Sequence, residues 1–361
     1  GDRKRDGGIN EDSVAISVFE EGHRDGLQRE GSTSEQPDSP SASDDPKSNE
    51  DAATARNRST AVVALADGAG GHDAGDVASY LATTTVCEQL ADLAVRAATA
   101  DSDAFDVDVP DDVSPAPPTD RELRDAIETA IVEAHRAILR YGAETGRAAH
   151  TTVVAGLWCN GQFHYGWVGD SRAYLVNTDL GRIERLTEDH SVVEQLSEQG
   201  AIDEIEAQVH PRSNEITRAI GGAADGDPAD ASVPVETRSV PVYAQDVLLL
   251  TSDGLLDAQT DAPALYDRYV DSGRDEAIGE AVWDAVVTDD EIREYVLAAS
   301  DFQSLTTDLI EMANDRGGKD NISLLFAQDD ALAPTPAALD TRAIEPDDIV
   351  DRETVLIPED S

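Results

Sequence analysis

Thr151-Thr-Val-Val-Ala-Gly-Leu-Trp-Cys159, then Asn160-Gly161, then Gln162-Phe-His-Tyr-Gly-Trp-Val168 is the stretch on which the fold turns. Two apolar or alternating runs flank Asn-Gly, the dipeptide that supplies both positive φ angles of a type I′ turn, so the stretch reads as a β-hairpin. Upstream, Thr119 and Glu122 form a capping box. Leu123, Ile127, Ile131, Ala134 and Ile138 then recur at helical spacing, which predicts a helix lying on the sheet. Further helical stretches run from about Ala74 to Ala97, from Ser191 to Gln199 and near Thr306 to Asp315. Hairpins with helices grouped outside them predict an α+β layered fold; a doubly wound parallel sheet fits poorly.

Three other short apolar runs stop at a carboxylate. Asp67 follows Ala61-Val-Val-Ala-Leu-Ala66, Asp253 follows Val247-Leu-Leu-Leu-Thr-Ser252, and Asp320 stands just ahead of Asn321-Ile-Ser-Leu-Leu-Phe326. An acidic residue closing a buried strand costs free energy unless a cation or donor meets it. Three such ends suggest an oxygen cage for a hard metal ion. The plainer alternative at each is a turn-forming Asp before Gly or Asn.

Composition sets the background. The chain has 27 basic and 75 acidic residues, a net charge of −48, and its lysines are Lys4, Lys47 and Lys319. So many carboxylates repel one another in dilute buffer, whereas in molar salt the Debye length falls to about 3 Å and the repulsion fades. The balance reads as a cytoplasmic protein of a halophile. With no basic face it is not a nucleic-acid binder, and its 40% hydrophobic content, gathered into runs, is not that of a disordered acidic chain. No run of about 18 apolar residues predicts a membrane span. Cys87 and Cys159 are too few for a disulfide framework or zinc site. The chain opens at Gly1 with its sole methionine at Met312, so its true start is expected upstream or removed.

Residues 20–59 and 101–118 are acidic and Ser-, Gly- or Pro-rich, and read as mobile insertions in a domain of residues 1–330. Residues 331–361 form an acidic tail, expected to be mostly loose apart from the apolar patch Val355-Leu-Ile357.

The motifs carry a resemblance. Asn10-Glu11-Asp12, Ala66-Asp-Gly-Ala-Gly-Gly-His72, Val168-Gly-Asp-Ser-Arg172, Leu186-Thr-Glu-Asp-His-Ser191, His210-Pro211, Thr217-Arg-Ala-Ile-Gly221, Thr251-Ser-Asp-Gly254 and Gly317-Gly-Lys-Asp-Asn321 stand in the order of the PPM (PP2C-like) metal-dependent protein serine/threonine phosphatases. The chain resembles their microbial branch from Gly1 to about Ala327, and residues 257–289 exceed what such relatives require.

That resemblance implies a four-layer α-β-β-α sandwich of two antiparallel sheets flanked by helices, with two Mn²⁺ or Mg²⁺ ions at one end. Asp67 resembles the carboxylate bridging both metals. The Gly68 carbonyl and Glu11 match ligands of the second, and Asp253 and Asp320 those of the first. Asp170 with Asp253 is similar to the pair that holds a weaker third metal. The segment from His190 to about Ile220 corresponds to a flap beside the site. Implied substrates are phosphoserine and phosphothreonine proteins; a cognate serine/threonine kinase as partner and a monomer as the working state are expectations that do not follow from the motifs.

The chemistry needs such residues because a phosphate ester repels hydroxide. Paired divalent ions about 3.5 to 4 Å apart acidify a bridging water, align it in line and neutralise the phosphoryl oxygens, so no phosphoenzyme is required. Two positions depart from the family. The place of the usual phosphate-binding arginine is Gly7, with Arg5 and Arg3 as nearby substitutes, and Ala69 replaces a proton-donating histidine of the animal branch, with His72 as a candidate acid or a packing residue. Arg172 reads as orienting Asp170 or fastening a strand, and Asp189 and Ser191 as helix caps. The rival readings are a pseudophosphatase that binds phosphoproteins without turnover, supported by Gly7, and an acidic scaffold that merely attracts cations.

Overall fold

The computed structural model describes residues 9–20, 23–28, 60–69, 74–99, 117–223, 226–257, 261–337, 339, 342 and 345–346. In chain order, strands β1 (Asp12–Glu20), β2 (His23–Gln28) and β3 (Thr60–Ala69) lead into helices α1 (Gly75–Thr99) and α2 (Asp120–Thr145). Next come β4 (Ala149–Thr151), β5 (Val153–Cys159), β6 (Gln162–Val168), β7 (Arg172–Asn177) and β8 (Arg182–Arg185). Short helices α3 (Val192–Glu198) and α4 (Glu204–Val209) precede β9 (Ile220–Gly222), β10 (Glu236–Pro241) and β11 (Asp246–Thr251). Helices α5 (Ala262–Asp271), α6 (Glu276–Trp283), α7 (Asp289–Ala298) and α8 (Phe302–Arg316) lead to β12 (Leu324–Ala327) and β13 (Glu345–Pro346).

Among the described residues one sheet runs β13-β10-β6-β5-β3-β1-β2, with β4 joined to β3 and β9 to β4, and the other runs β12-β11-β7-β8. The neighbours pair antiparallel, including the β5–β6 hairpin, in which Trp158 faces Phe163. Its turn residues Asn160 and Gly161 have φ of 53° and 74°, as the type I′ reading requires. The expected first strand of that hairpin is split at Thr152, whose hydroxyl contacts the Asp67 amide and Ser171.

Strand pleating explains the apolar runs. Val62, Ala64 and Ala66 of β3 face α1 and α2, while Val63 and Leu65 face the other sheet; on β11, Leu248 and Leu250 face inward and Val247 and Leu249 face α7 and α8. Both faces are buried, so alternation in polarity disappears. Between the sheets Phe163 stacks on Tyr165 and Tyr165 on Trp167. The result is helix, sheet, sheet, helix, as the motifs imply. Thr119 caps α2 with both arms of the box formed to Glu122.

Several elements depart from expectation. β2 lies inside the stretch read as a mobile insertion, because edge-strand pairing with β1 draws on backbone groups and needs no apolar side chains. α8 starts four residues before Thr306, where Asp301 accepts from the Ser304 amide. Helices α4 to α7 were not predicted, although Asp203/Glu206 and Thr288/Glu291 form capping boxes at the starts of α4 and α7. Within the tail read as mostly loose, the described residues 331–337, 339, 342 and 345–346 include anchored positions, and residues 347–361 lie outside the described residues. Ala244 donates to the Ala333 carbonyl, Arg342 is buried against Asp246, and β13 pairs with β10. The rest of the 20–59 stretch, residues 101–116 and the Val355–Ile357 patch lie outside the described residues.

Candidate active site

Chain register assembles one end of the sandwich. Asp12 at the start of β1 pairs with Asp67 near the end of β3. The Asp67 backbone is fixed from the other side. Its amide donates to Thr152 Oγ1 at 3.0 Å, and its carbonyl accepts from Thr151 Oγ1 at 2.7 Å and from the Thr152 amide at 2.9 Å. The threonines that looked like plain strand residues therefore hold the central aspartate. Gly68 donates to the Glu11 carbonyl at 3.1 Å.

The other carboxylates arrive from the second sheet. Asp253 sits in a single 3₁₀ turn just past β11, and Ser252 donates to Asp12 Oδ2 at 3.0 Å while accepting from the Ser323 amide. Asn321 Oδ1 accepts from the Glu11 amide at 3.1 Å, and Asp320 Oδ1 accepts from the Asn321 amide at 2.7 Å, which ties the loop before β12 to the start of β1. The glycines after Asp67 and Asp253 serve close approach. A Cβ on Gly254 would stand 1.9 Å from the Asn321 carbonyl oxygen, and one on Gly68 would stand 2.2 Å from that of Gly75. Neither has positive φ. The two glycines are therefore not there to supply a left-handed turn conformation.

The electrostatics are those of like charges forced together. Burial raises the Asp67 carboxyl well above the ordinary range, and the neighbouring charges of Asp253, Asp12 and Asp170 raise it further. Asp253 is pushed up to about 7, first by burial and then by Asp257 and Asp320. Asp170 is raised by burial and then by Asp253, Asp189 and Asp257. Asp12 is raised chiefly by burial, against hydrogen bonds from Ser323, Ser252 and Asp67. Asp12 and Asp67 face each other across the β1–β3 pair, and Asp253 adds its negative charge to the surroundings of Asp67. Carboxylates gathered this closely resist ionising together unless a cation joins them.

The donor set fits a hard divalent ion. Asp12 Oδ1 and Asp253 Oδ1 are buried with no hydrogen-bond partner, and the surrounding groups are carboxylate and carbonyl oxygens, the ligands Mg²⁺ and Mn²⁺ prefer. Among the described residues no three His, Cys, Asp or Glu side chains stand at the spacing of a finished metal shell. What the fold supplies is a chain of pairwise contacts.

Of the residues expected at the site, Glu11, Asp67, Gly68, Asp170, Asp253 and Asp320 come to this one end, while His72 and Arg5 lie outside the described residues. Sequence reasoning missed Asp12, Asp257 and the true role of Asp189. One helical turn puts Asp257 beside Asp253, its amide donating to the Asp253 carbonyl at 2.8 Å, so the i, i+4 spacing was the available signal. Asp189 does not cap α3; Ser191 does, accepting from the Glu194 amide. Asp189 takes Arg172 in a fork, with Nη2 to Oδ2 at 2.6 Å and Nε to Oδ1 at 3.0 Å, so Arg172 fastens β7 and does not orient Asp170. A cleft of about 200 Å³ opens beside these groups, with Arg172, Arg185, Asp170, Asp253 and Asp257 on one wall and α3 and α4 on the other.

Comparison with known proteins gives the same reading. Residues 40–277 match the family model described as Protein phosphatase 2C. The serine/threonine phosphatase stp of Listeria innocua is 32% identical over 270 residues, covering 74% of this chain and 84% of that one. Among solved structures, a bacterial serine phosphatase superposes with a TM-score of 0.57 at 22% identity, covering 93% of this chain and 97% of that one. The catalytic domain of the phosphatase PstP, solved with two manganese ions, superposes at 0.50 and 22% identity, covering 88% and 99%. The chain belongs to the protein phosphatase 2C family and is a metal-dependent serine/threonine protein phosphatase.

Proposed function

We propose that the carboxylate end takes two Mn²⁺ or Mg²⁺ ions and dephosphorylates phosphoserine and phosphothreonine in proteins, with Asp67 shared between the ions. In this reading Asp253 and Asp320 complete one position, Glu11 and the Gly68 carbonyl the other, and Asp170 with Asp253 holds a weaker third. When bound, such a pair supplies positive charge that acidifies water and neutralises the phosphoryl oxygens. The chain's own residues do the positioning. Thr151 and Thr152 hold the Asp67 backbone, Ser252 holds Asp12, and Asn321 holds the start of β1. Water forms the new bond to phosphorus as the ester bond breaks, and the proton passes to the leaving serine or threonine oxygen. A thiol route has no support, since Cys87 and Cys159 are buried and burial pushes the Cys159 thiol up to about 12.

The observation that carries this reading is that the Asp12–Asp67 strand pair and the Ser252–Asp12 hydrogen bond bring Asp67 and Asp253 to one end of the sandwich, beside two buried carboxylate oxygens without partners. Phosphorylated proteins made by a serine/threonine kinase are the substrates we infer. We propose a cytoplasmic monomer as the working state. Among the described residues no helix is long and apolar enough to cross a membrane.

The test is hydrolysis of a phosphothreonine peptide in molar salt, with Mn²⁺ or with chelator, by wild type and Asp253→Asn. Turnover should need Mn²⁺ and fall about a thousand-fold in the variant. Activity indifferent to both metal and substitution would overturn the site. Stoichiometric Mn²⁺ binding without wild-type turnover would favour a pseudophosphatase.

A further inference from the structure

Helix α4, in the flap, is walled on both sides. Glu204, Ala207 and Gln208 line the cleft together with Asp253 and Asp257. Its remaining residues face away from the cleft, where Val209 is fully buried among Ala262, Leu265, Val282 and Val286. Every one of those four belongs to residues 257–289, the stretch read from the sequence as longer than such relatives require. This small cluster is separate from the three that bind the sandwich layers. A helix of six residues has no standing of its own in water. Its position is therefore set by what packs on it.

The polar contacts are as specific. Arg274, between α5 and α6, gives Nη2 to Glu206 Oε1 at 2.8 Å and Nε to Asp203 Oδ2 at 3.2 Å, and Tyr269 donates its hydroxyl to the same Asp203 oxygen at 3.3 Å. Asp203 and Glu206 are the two arms of the α4 capping box. Arg274 grips the helix start where it is built. It does so from a left-handed backbone, φ 64°, next to Gly273 at φ 77°. A side chain there is disfavoured relative to glycine, so the arginine sits against its local conformational preference. Further down, α6 approaches Ile205 so closely that a Cβ on Gly279 would stand 2.8 Å from its Cδ1.

We propose that the α5–α6 insertion, latched by Arg274, positions the flap helix α4 as the outer wall of the cleft and so determines how phosphorylated polypeptide, as distinct from a small phosphate ester, is bound. The proposal rests on the site reading given under Proposed function. A small ester needs only the carboxylate end, whereas a peptide must also run along the wall built by α3 and α4. Arg274 itself reaches neither the cleft nor the reacting atoms. It is a positioning residue.

The test compares a phosphothreonine peptide of about ten residues with p-nitrophenyl phosphate, both with Mn²⁺, for Arg274→Ala, Arg274→Gly and Arg274→Lys. Arg274→Gly removes the grip while relieving the left-handed backbone, so it keeps the fold. Both truncations should raise KM for the peptide about five- to ten-fold with kcat within about two-fold, and leave KM for p-nitrophenyl phosphate within about two-fold. Arg274→Lys, which retains a charge but not the fork, should fall between. Peptide and small-ester constants moving together, or neither moving in Arg274→Gly, would overturn the inference. Wild-type protein without Mn²⁺-dependent turnover of either substrate would defeat the site reading itself.

Discussion

Strand β11 begins at the buried Asp246 and ends at Thr251, two residues before the half-buried Asp253, and the two ends are built on opposite principles. At its start the Asp246 carboxylate, fully buried, receives a fork from Arg342, with Nη2 to Oδ1 at 2.6 Å and Nη1 to Oδ2 at 2.8 Å. Asn177 and the Tyr243 amide donate to it as well, each at 2.7 Å. Glu184 stands 3.1 Å from Arg342 Nε, too poorly aligned for a hydrogen bond. At its other end Asp253 meets Asp67 and the charges of Asp257 and Asp320, and one of its oxygens has no partner. The first carboxylate is neutralised by the chain that carries it. The second is placed among like charges, where a proton or an added cation would neutralise it, which is how a fold reserves charge for chemistry.

Opposite substitutions break or sharpen that comparison. Asp246→Asn leaves the Arg342 guanidinium buried without its carboxylate and should cost about 3 to 5 kcal/mol of unfolding free energy. Asp253→Asn, measured in chelator, removes a repelled charge and should raise the melting temperature, even as it removes activity. Denaturant unfolding of the two variants side by side checks this. Equal destabilisation by both would erase the distinction.

A second buried polar group lies between these extremes. His164, 1% exposed, hydrogen-bonds Ser239 at 2.7 Å and lies 3.8 Å from Asp120. Burial lowers it from 6.5 to about 4, with Asp120 opposing and Arg124 adding to the shift. Its folded pKa is depressed, so the neutral ring's contribution is present above about pH 6.5 and is lost as pH falls towards 4. The loss should reach about 2 to 3 kcal/mol, and His164→Gln should flatten the acid limb of a stability profile between those values. An unchanged limb would show that the ring carries no such linkage. The smallest effect concerns a surface cap. Thr119→Ala should cost about 1 kcal/mol, seen as a lower denaturant midpoint with unaltered activity.

How much of this was legible beforehand follows from range. The β5–β6 hairpin and the cap of α2 are written in neighbouring residues, and both came out as the spacing predicts. The six carboxylate and glycine positions expected at the site all reached one end, because their strands stop there. Asp12 was not picked out, since facing Asp67 is a matter of register between strands more than fifty residues apart in sequence. Asp189 was taken for a cap because Asp beside Ser before a helix is ordinary local chemistry; its fork with Arg172 is a long-range contact. The tail looked loose for the same reason, its anchor Asp246 lying far upstream of Arg342.

By itself, then, the sequence determined what local chemistry can write: the central hairpin and the helices α1, α2, α3 and α8, the type I′ turn, the capping box of α2, and the aspartates that end apolar runs. Only the tertiary structure decided which carboxylates gather at one end, that the glycines after Asp67 and Asp253 are there for close backbone approach, and that the α5–α6 segment packs on helix α4. The physical reason is the same in each case. Charge repulsion, burial and steric exclusion depend on distances in space, and distances between remote residues exist only once the chain has packed.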